Sequence, residues 1–122
     1  MKSKLIAGAF AASIPTAAAA MPVDAFLAKA EALQAKGFTA VFSSDYKLLM
    51  SVVKADAVSL KSEREAAKAA NKTPAYCPPG PVGLSSDDTI AAMRAVPPAQ
   101  RTATDSKAAL RAFLAKRYPC RA

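Results

Sequence analysis

Apolar residues recur at intervals of three and four in four separate stretches of the chain, each bounded by residues that start or stop helices. Val23, Phe26, Leu27, Ala30 and Leu33 make the first stripe. It predicts a helix from about Pro22 to Lys36. Pro22 suits a first-turn position, Asp24 favours the positive end of the helix dipole, and Gly37 is a natural C-terminal cap. The second stripe is the longest. Phe42, Tyr46, Leu49, Met50, Val53, Ala57 and Leu60 give a continuous face that Leu48 and Val52 widen, with Ser43 or Ser44 as the cap and Asp45 in the first turn. This helix is expected to reach about Ala70 or Asn71, roughly 40 Å at 1.5 Å per residue. Lys61, Arg64, Lys68 and Lys72 dominate its last two turns, which have little left to bury and are expected to project as a basic tip.

A third helix is expected from Ser85 or Ser86, with Asp87 and Asp88 in its first turn and Ile90, Met93 and Val96 on its apolar face. Pro97-Pro98 ends it. The fourth is capped by Thr104 or Thr102, carries Asp105 early, and turns Leu110, Phe113 and Leu114 inward, with Lys116 and Arg117 matching the dipole in its last turn. Between the second and third helices, residues 73 to 83 hold four prolines in eleven positions, which forbids helix and favours a stiff, extended path. Strand-like alternation is confined to Phe38 to Phe42. The fold class is therefore all-α: a small four-helix domain with one long helix and a C-terminal helical hairpin.

The first 20 residues stand apart. Lys2 and Lys4 precede a short apolar run from Leu5 to Pro15, and Thr16 to Ala20 ends in small residues with Ala18 and Ala20 at cleavage-site spacing. This is the form of a secretory leader, cleaved so that the mature chain begins at Met21. The competing reading, an uncleaved spanning anchor, requires about 20 apolar residues, more than this run supplies. One domain over residues 21–122 is expected in an exported compartment, the periplasm, with no membrane span. Two cysteines in an exported chain read as one bridge. Cys77 precedes the third helix and Cys120 follows the fourth, so an antiparallel hairpin brings both to the same end. A chain of about 100 residues buries only around 65% of its unfolded surface, so such a staple matters.

Charge and composition then narrow the chemistry. The chain carries 17 basic and 9 acidic residues, net +8, and loss of Lys2 and Lys4 leaves +6. A basic exported protein meets acidic partners, anionic headgroups or wall polymers. Nucleic acid is not expected, because the chain leaves the cytoplasm and lacks a basic segment with interleaved aromatics. The chain has no histidine, which excludes Ser-His and Cys-His nucleophiles, and two thiols alone fall short of a structural zinc site. Asp87 and Asp88 point in different directions at a helix start, where capping explains them. Glu63 and Glu65 read as surface ion pairs. The chain is not expected to be an enzyme or to hold a cofactor or metal.

Recognition remains. The proline segment offers Tyr76, Pro78 and Pro79 as a rigid docking element with an exposed aromatic, which loses little entropy on binding. Arg64 and Lys68 at the basic tip offer a steering surface. Each also has a structural reading: the loop only positions Cys77, and the tip is only a solvated face.

One ordered combination adds to this. Pro74-Ala75-Tyr76-Cys77-Pro78-Pro79, a helix, Val96-Pro97, and a helix closing on Arg117-Tyr118-Pro119-Cys120 resembles the Rap/Tai immunity proteins of type VI secretion. The likeness covers about residues 73 to 120. The long Ala/Lys/Glu-rich helix before it has no counterpart in that pattern. The resemblance implies a periplasmic protein that binds and inhibits a secreted cell-wall amidase toxin by blocking its cleft, often as a homodimer. It carries over Cys77 and Cys120 as structural residues and assigns no inhibitory residue. Two alternatives stay open: a non-catalytic envelope scaffold or chaperone-like protein, and a basic protein that adheres to anionic lipid or wall polymer.

Overall fold

The computed structural model describes residues 20–121. The leader expected over residues 1–20 lies outside them apart from Ala20, as does Ala122. Four helices follow in order: α1 (Val23–Lys36), α2 (Ser44–Ala69), α3 (Ser86–Arg94) and α4 (Ser106–Arg117). Short 3₁₀ helices occupy Gly37–Phe42 and Pro98–Gln100. The segment with strand-like alternation is the first of these 3₁₀ turns, and no strand occurs among the described residues.

Local chemistry explains most helix ends. Ser43, not Ser44, caps α2, its hydroxyl accepting from the Asp45 N–H at 3.2 Å. Ser85 and Asp88 form a reciprocal capping box on α3. At α4 the cap is Asp105, whose carboxylate accepts from the Ala108 N–H at 2.8 Å. The expectation of Thr104 or Thr102 there is corrected. Thr102 turns its hydroxyl to Asp24 and the Thr104 carbonyl accepts from the Val23 N–H, so both serve α1. Pro22 is the N-cap of α1, with no side-chain bond to give. The free N–H groups of Val23 and Asp24 instead donate to the Thr104 and Arg101 carbonyls, at 2.9 and 3.2 Å. Gly37 ends α1 at φ 63°, a conformation that disfavours any Cβ. Asn71 takes the same role after α2 at φ 57°, with the Asn71 and Lys72 N–H groups returning to the Lys68 and Ala67 carbonyls.

α1 packs on α2 and α3, and α4 packs on α2 and α3. The stripe read on α1 is buried as expected, all five residues of it. The α2 stripe is rotated by about one position. Leu49, Val52, Asp56 and Leu60 face inward, whereas Phe42, Met50 and Ala57 are exposed. A buried acid hides this face from an apolar reading. α4 shows the same masking, because Ser106 is buried beside Ala109, Leu110 and Leu114 while Phe113 is half-buried.

The α3–α4 hairpin is antiparallel and closed at one end. Cys77 and Cys120 are disulfide-bonded with Cα atoms 4.9 Å apart, and the Cys77 N–H donates to the Tyr118 carbonyl at 2.8 Å. Arg117 at the end of α4 pairs with Asp88 at the start of α3 at 3.1 Å. Glu63 of α2 is gripped by Lys107 and Arg111 of α4 at 3.0 and 2.9 Å. The hydrogen bond from Lys107 and those from Arg111 hold the Glu63 carboxyl below its usual range, and the Ser85 N–H with Arg117 does the same for Asp88.

Two measurements check this scaffold. Closing the 43-residue separation between the cysteines is worth on the order of 4 kcal/mol in the chain-entropy model. A Cys77→Ser, Cys120→Ser protein should therefore unfold in urea with about that much less stability. For the two depressed carboxyls, the stabilisation is present above their ordinary range and is lost as pH falls through their lower folded values. These two carboxyls are expected to lower thermal stability on acidification, against the opposite effect of the raised Asp56 carboxyl. The drop should be shallower in Glu63→Gln, and salt should shrink the difference because the pair is exposed.

Candidate functional site

The proline segment does not wander over the surface. Tied to α4 through Cys77, it runs beside the second half of α2 and leaves a groove of about 790 Å³ between them. One wall is α2, with Lys54, Lys61, Arg64 and Lys68. The other is Tyr76 to Val82, and Leu60 and Leu114 form part of the floor. All five residues singled out for recognition, Tyr76, Pro78, Pro79, Arg64 and Lys68, line this one groove. The loop and the basic end of α2, read as competing surfaces, are its two sides.

The groove is basic. Its lining includes four cations and no carboxylate, and among the described residues none of the four has an ion-pair partner. Lys54, Lys61 and Lys68 are seven residues apart, two helical turns, so they share a side of α2 at intervals of about 10 Å.

Two expectations change here. Tyr76 was expected to be exposed, and it is only 4% exposed. The staple beside it presses the ring into the core cluster, so it anchors the loop and offers no free aromatic. Arg64 was expected on a projecting tip, and it is half-buried with its guanidinium 5.4 Å from the Tyr76 ring centre. Its Nε is buried without a hydrogen-bond partner. The cation sits on the ring face, a favourable contact that binds the loop to α2. The body of the protein thus holds α2 as far as Arg64, and free positive charge resides on Lys54, Lys61 and Lys68, all exposed.

The groove continues into an apolar pocket of about 270 Å³ between α1, α2 and α3, sharing Met50, Val53 and Leu84 with it. Phe26, Leu33, Tyr46, Leu49 and Ile90 are among its walls. Sequence reading missed this pocket because its large apolar walls were assigned to packed faces. Phe38 and Phe42, 98% and 84% exposed, stand on the 3₁₀ turn after α1.

Asp56 and Ser106 form the one buried acid–hydroxyl contact among the described residues, 2.6 Å apart. Burial pushes the Asp56 carboxyl up, partly offset by the Ser106 hydrogen bond. At 2% and 0% exposure the pair is closed to any substrate. The spacing of Asp56 within Leu49, Val52 and Leu60 was the signal that could have found it.

No family model matches this chain, and no curated protein or solved structure is similar to it at a significant level.

The anchoring role of Tyr76 separates it from its neighbours. Tyr76→Ala should lower stability by about 3 kcal/mol or more, as removal of a buried aromatic does. Pro79→Ala, at an exposed position, should stay within about 0.5 kcal/mol of wild type. Equal losses in chemical denaturation would contradict the assignment.

Proposed function

We propose that this chain is an exported, non-catalytic binding protein of the immunity type, which holds an acidic segment of a cell-wall amidase toxin in the groove between α2 and the proline loop and so blocks that enzyme. The observation that carries the reading is the groove: a rigid proline wall, an apolar floor and unpaired cations in a row. Rigid walls lose little entropy on binding, and a row of one charge sign selects partners by complementarity and speeds their approach. The amidase, and the periplasm as the place of action, come from the resemblance of residues 73 to 120 and from the leader reading of the first 20. The disulfide and the lack, among the described residues, of any helix long and apolar enough to cross a membrane are compatible with that setting.

A second reading has its own observation. Exposed Phe38 and Phe42 and the apolar pocket favour a scaffold or chaperone-like protein that holds apolar segments of envelope proteins.

Co-expression in the periplasm with an exported cell-wall amidase toxin, taken from the neighbouring locus where one is encoded there, separates the two. Wild type is expected to prevent lysis and to inhibit the purified enzyme. Failure to protect overturns the amidase reading. Lys61→Glu with Lys68→Glu should slow association at low salt. The defect should shrink as salt rises, because exposed charges are screened over about 10 Å at 0.1 M. Unchanged association at low salt would remove the groove as the contact surface.

A further inference from the structure

We propose that the fold contains a receptor for its own processed N-terminus: hydrolysis after Ala20 releases an α-ammonium at Met21 that is held by Ser106 and pairs with the buried carboxylate of Asp56. The inference rests on the leader reading of residues 1–20 and is independent of the identity of any partner.

The geometry is already in place. The Met21 N–H donates to Ser106 Oγ at 3.1 Å, and Ser106 Oγ donates to Asp56 Oδ2 at 2.6 Å. The Met21 nitrogen and the carboxylate are thus no more than about 6 Å apart, within the range where an opposite charge favours the ionised form. The nitrogen is fixed there by the chain that follows it. Ser106 N–H donates to the Met21 carbonyl at 2.7 Å, Pro22 and Asp105 form an isolated antiparallel bridge, and Val23 N–H donates to Thr104. A segment clamped this way keeps its first atom in position after the bond before it is cut.

Asp56 lacks what such a terminus supplies. Its carboxylate offers about four acceptor sites. Among the described residues Ser106 is its one hydrogen-bond partner. The charged groups that act on it are Asp105, which opposes its ionisation, and Lys107, which favours it. The Lys107 ammonium is engaged elsewhere, 3.0 Å from Glu63 and 3.2 Å from Ser59. A buried ionised carboxylate without a cation is unfavourable by several kcal/mol, and pairing with hydrogen bonds relieves it. In the uncleaved chain the Met21 nitrogen is an amide with one hydrogen and no charge. Leader peptidase adds water across the Ala20–Met21 bond, leaving a carboxylate on Ala20 and an ammonium with three donors on Met21. One donor keeps Ser106, and the new charge faces Asp56 across that hydroxyl. Processing therefore adds the missing counterion and ties α1, α2 and α4 together at one point.

The test compares chains that start at Met21 and at Ala19, each with Asp56 and with Asp56→Asn, released from a cleavable fusion and checked by intact mass. With Asp56 present, the Met21 start should have a folding equilibrium constant about tenfold or more above the Ala19 start, the scale of a charge-assisted hydrogen bond. With Asp56→Asn the two starts should agree within about twofold, since the buried charge is gone. The Met21 α-amino group should titrate above its ordinary value of about 7.7 to 8.0 when Asp56 is present, and return to it with Asp56→Asn. An equal difference between starts in both backgrounds, or an α-amino group at its ordinary value, would overturn the proposal. So would N-terminal sequencing of the exported protein that finds a first residue other than Met21.

Discussion

Cys77 and Cys120 are 43 residues apart in sequence and 4.9 Å apart between Cα atoms, and the surface of the molecule is organised around that closure. Without it, a segment with four prolines and few backbone donors would have no reason to lie against the helices. With it, the Cys77 N–H reaches the Tyr118 carbonyl, Tyr76 drops into the core, and Arg64 settles over the ring. The loop becomes a wall, and a wall beside α2 makes a groove. Each step follows from the one before.

Small helical domains bury little, so the polar groups that they do bury carry weight. Here these are Asp56, Ser106 and Thr89. Thr89 is satisfied by the Ser85 carbonyl within its own helix turn. Asp56 and Ser106 instead join α2 to α4, and through the Met21 backbone they meet the chain entering α1. At the opposite end of α4 the disulfide and the Arg117–Asp88 pair hold α3. α4 is thus fixed at its start by polar contacts and at its end by a covalent one. That is why a helix of only 12 residues can organise the other three.

Helical periodicity, the prolines and the two cysteines made the architecture legible in the sequence. The α1 stripe, the capping serines and the hairpin closure all follow from spacing and turn chemistry. What was illegible had a common cause: side chains used against their usual preference. Asp56 and Ser106 face inward, so an apolar template shifted the α2 face and gave too much to Phe42 and Met50. Tyr76 looked free because it stands between prolines, yet the neighbouring bridge draws it in. Arg64 looked like a solvated cation because pattern alone cannot show that an aromatic from the loop returns to cover it. The residues of the candidate site were therefore found, but their roles were exchanged. Those read as contacts are partly supports, and Lys54, which the pattern did not single out, shares the free charge with Lys61 and Lys68.

The central claim is that the disulfide holds the proline segment as a fixed wall against α2. Amide hydrogen exchange in oxidised and reduced protein tests it most directly. The claim predicts that in the oxidised form the Cys77 amide, bonded to the Tyr118 carbonyl at 2.8 Å, is strongly protected. Reduction should abolish that protection, while amides in the middle of α1 and the first half of α2 lose much less. A Cys77 amide that exchanges freely before reduction, or that keeps its protection after it, would contradict the account.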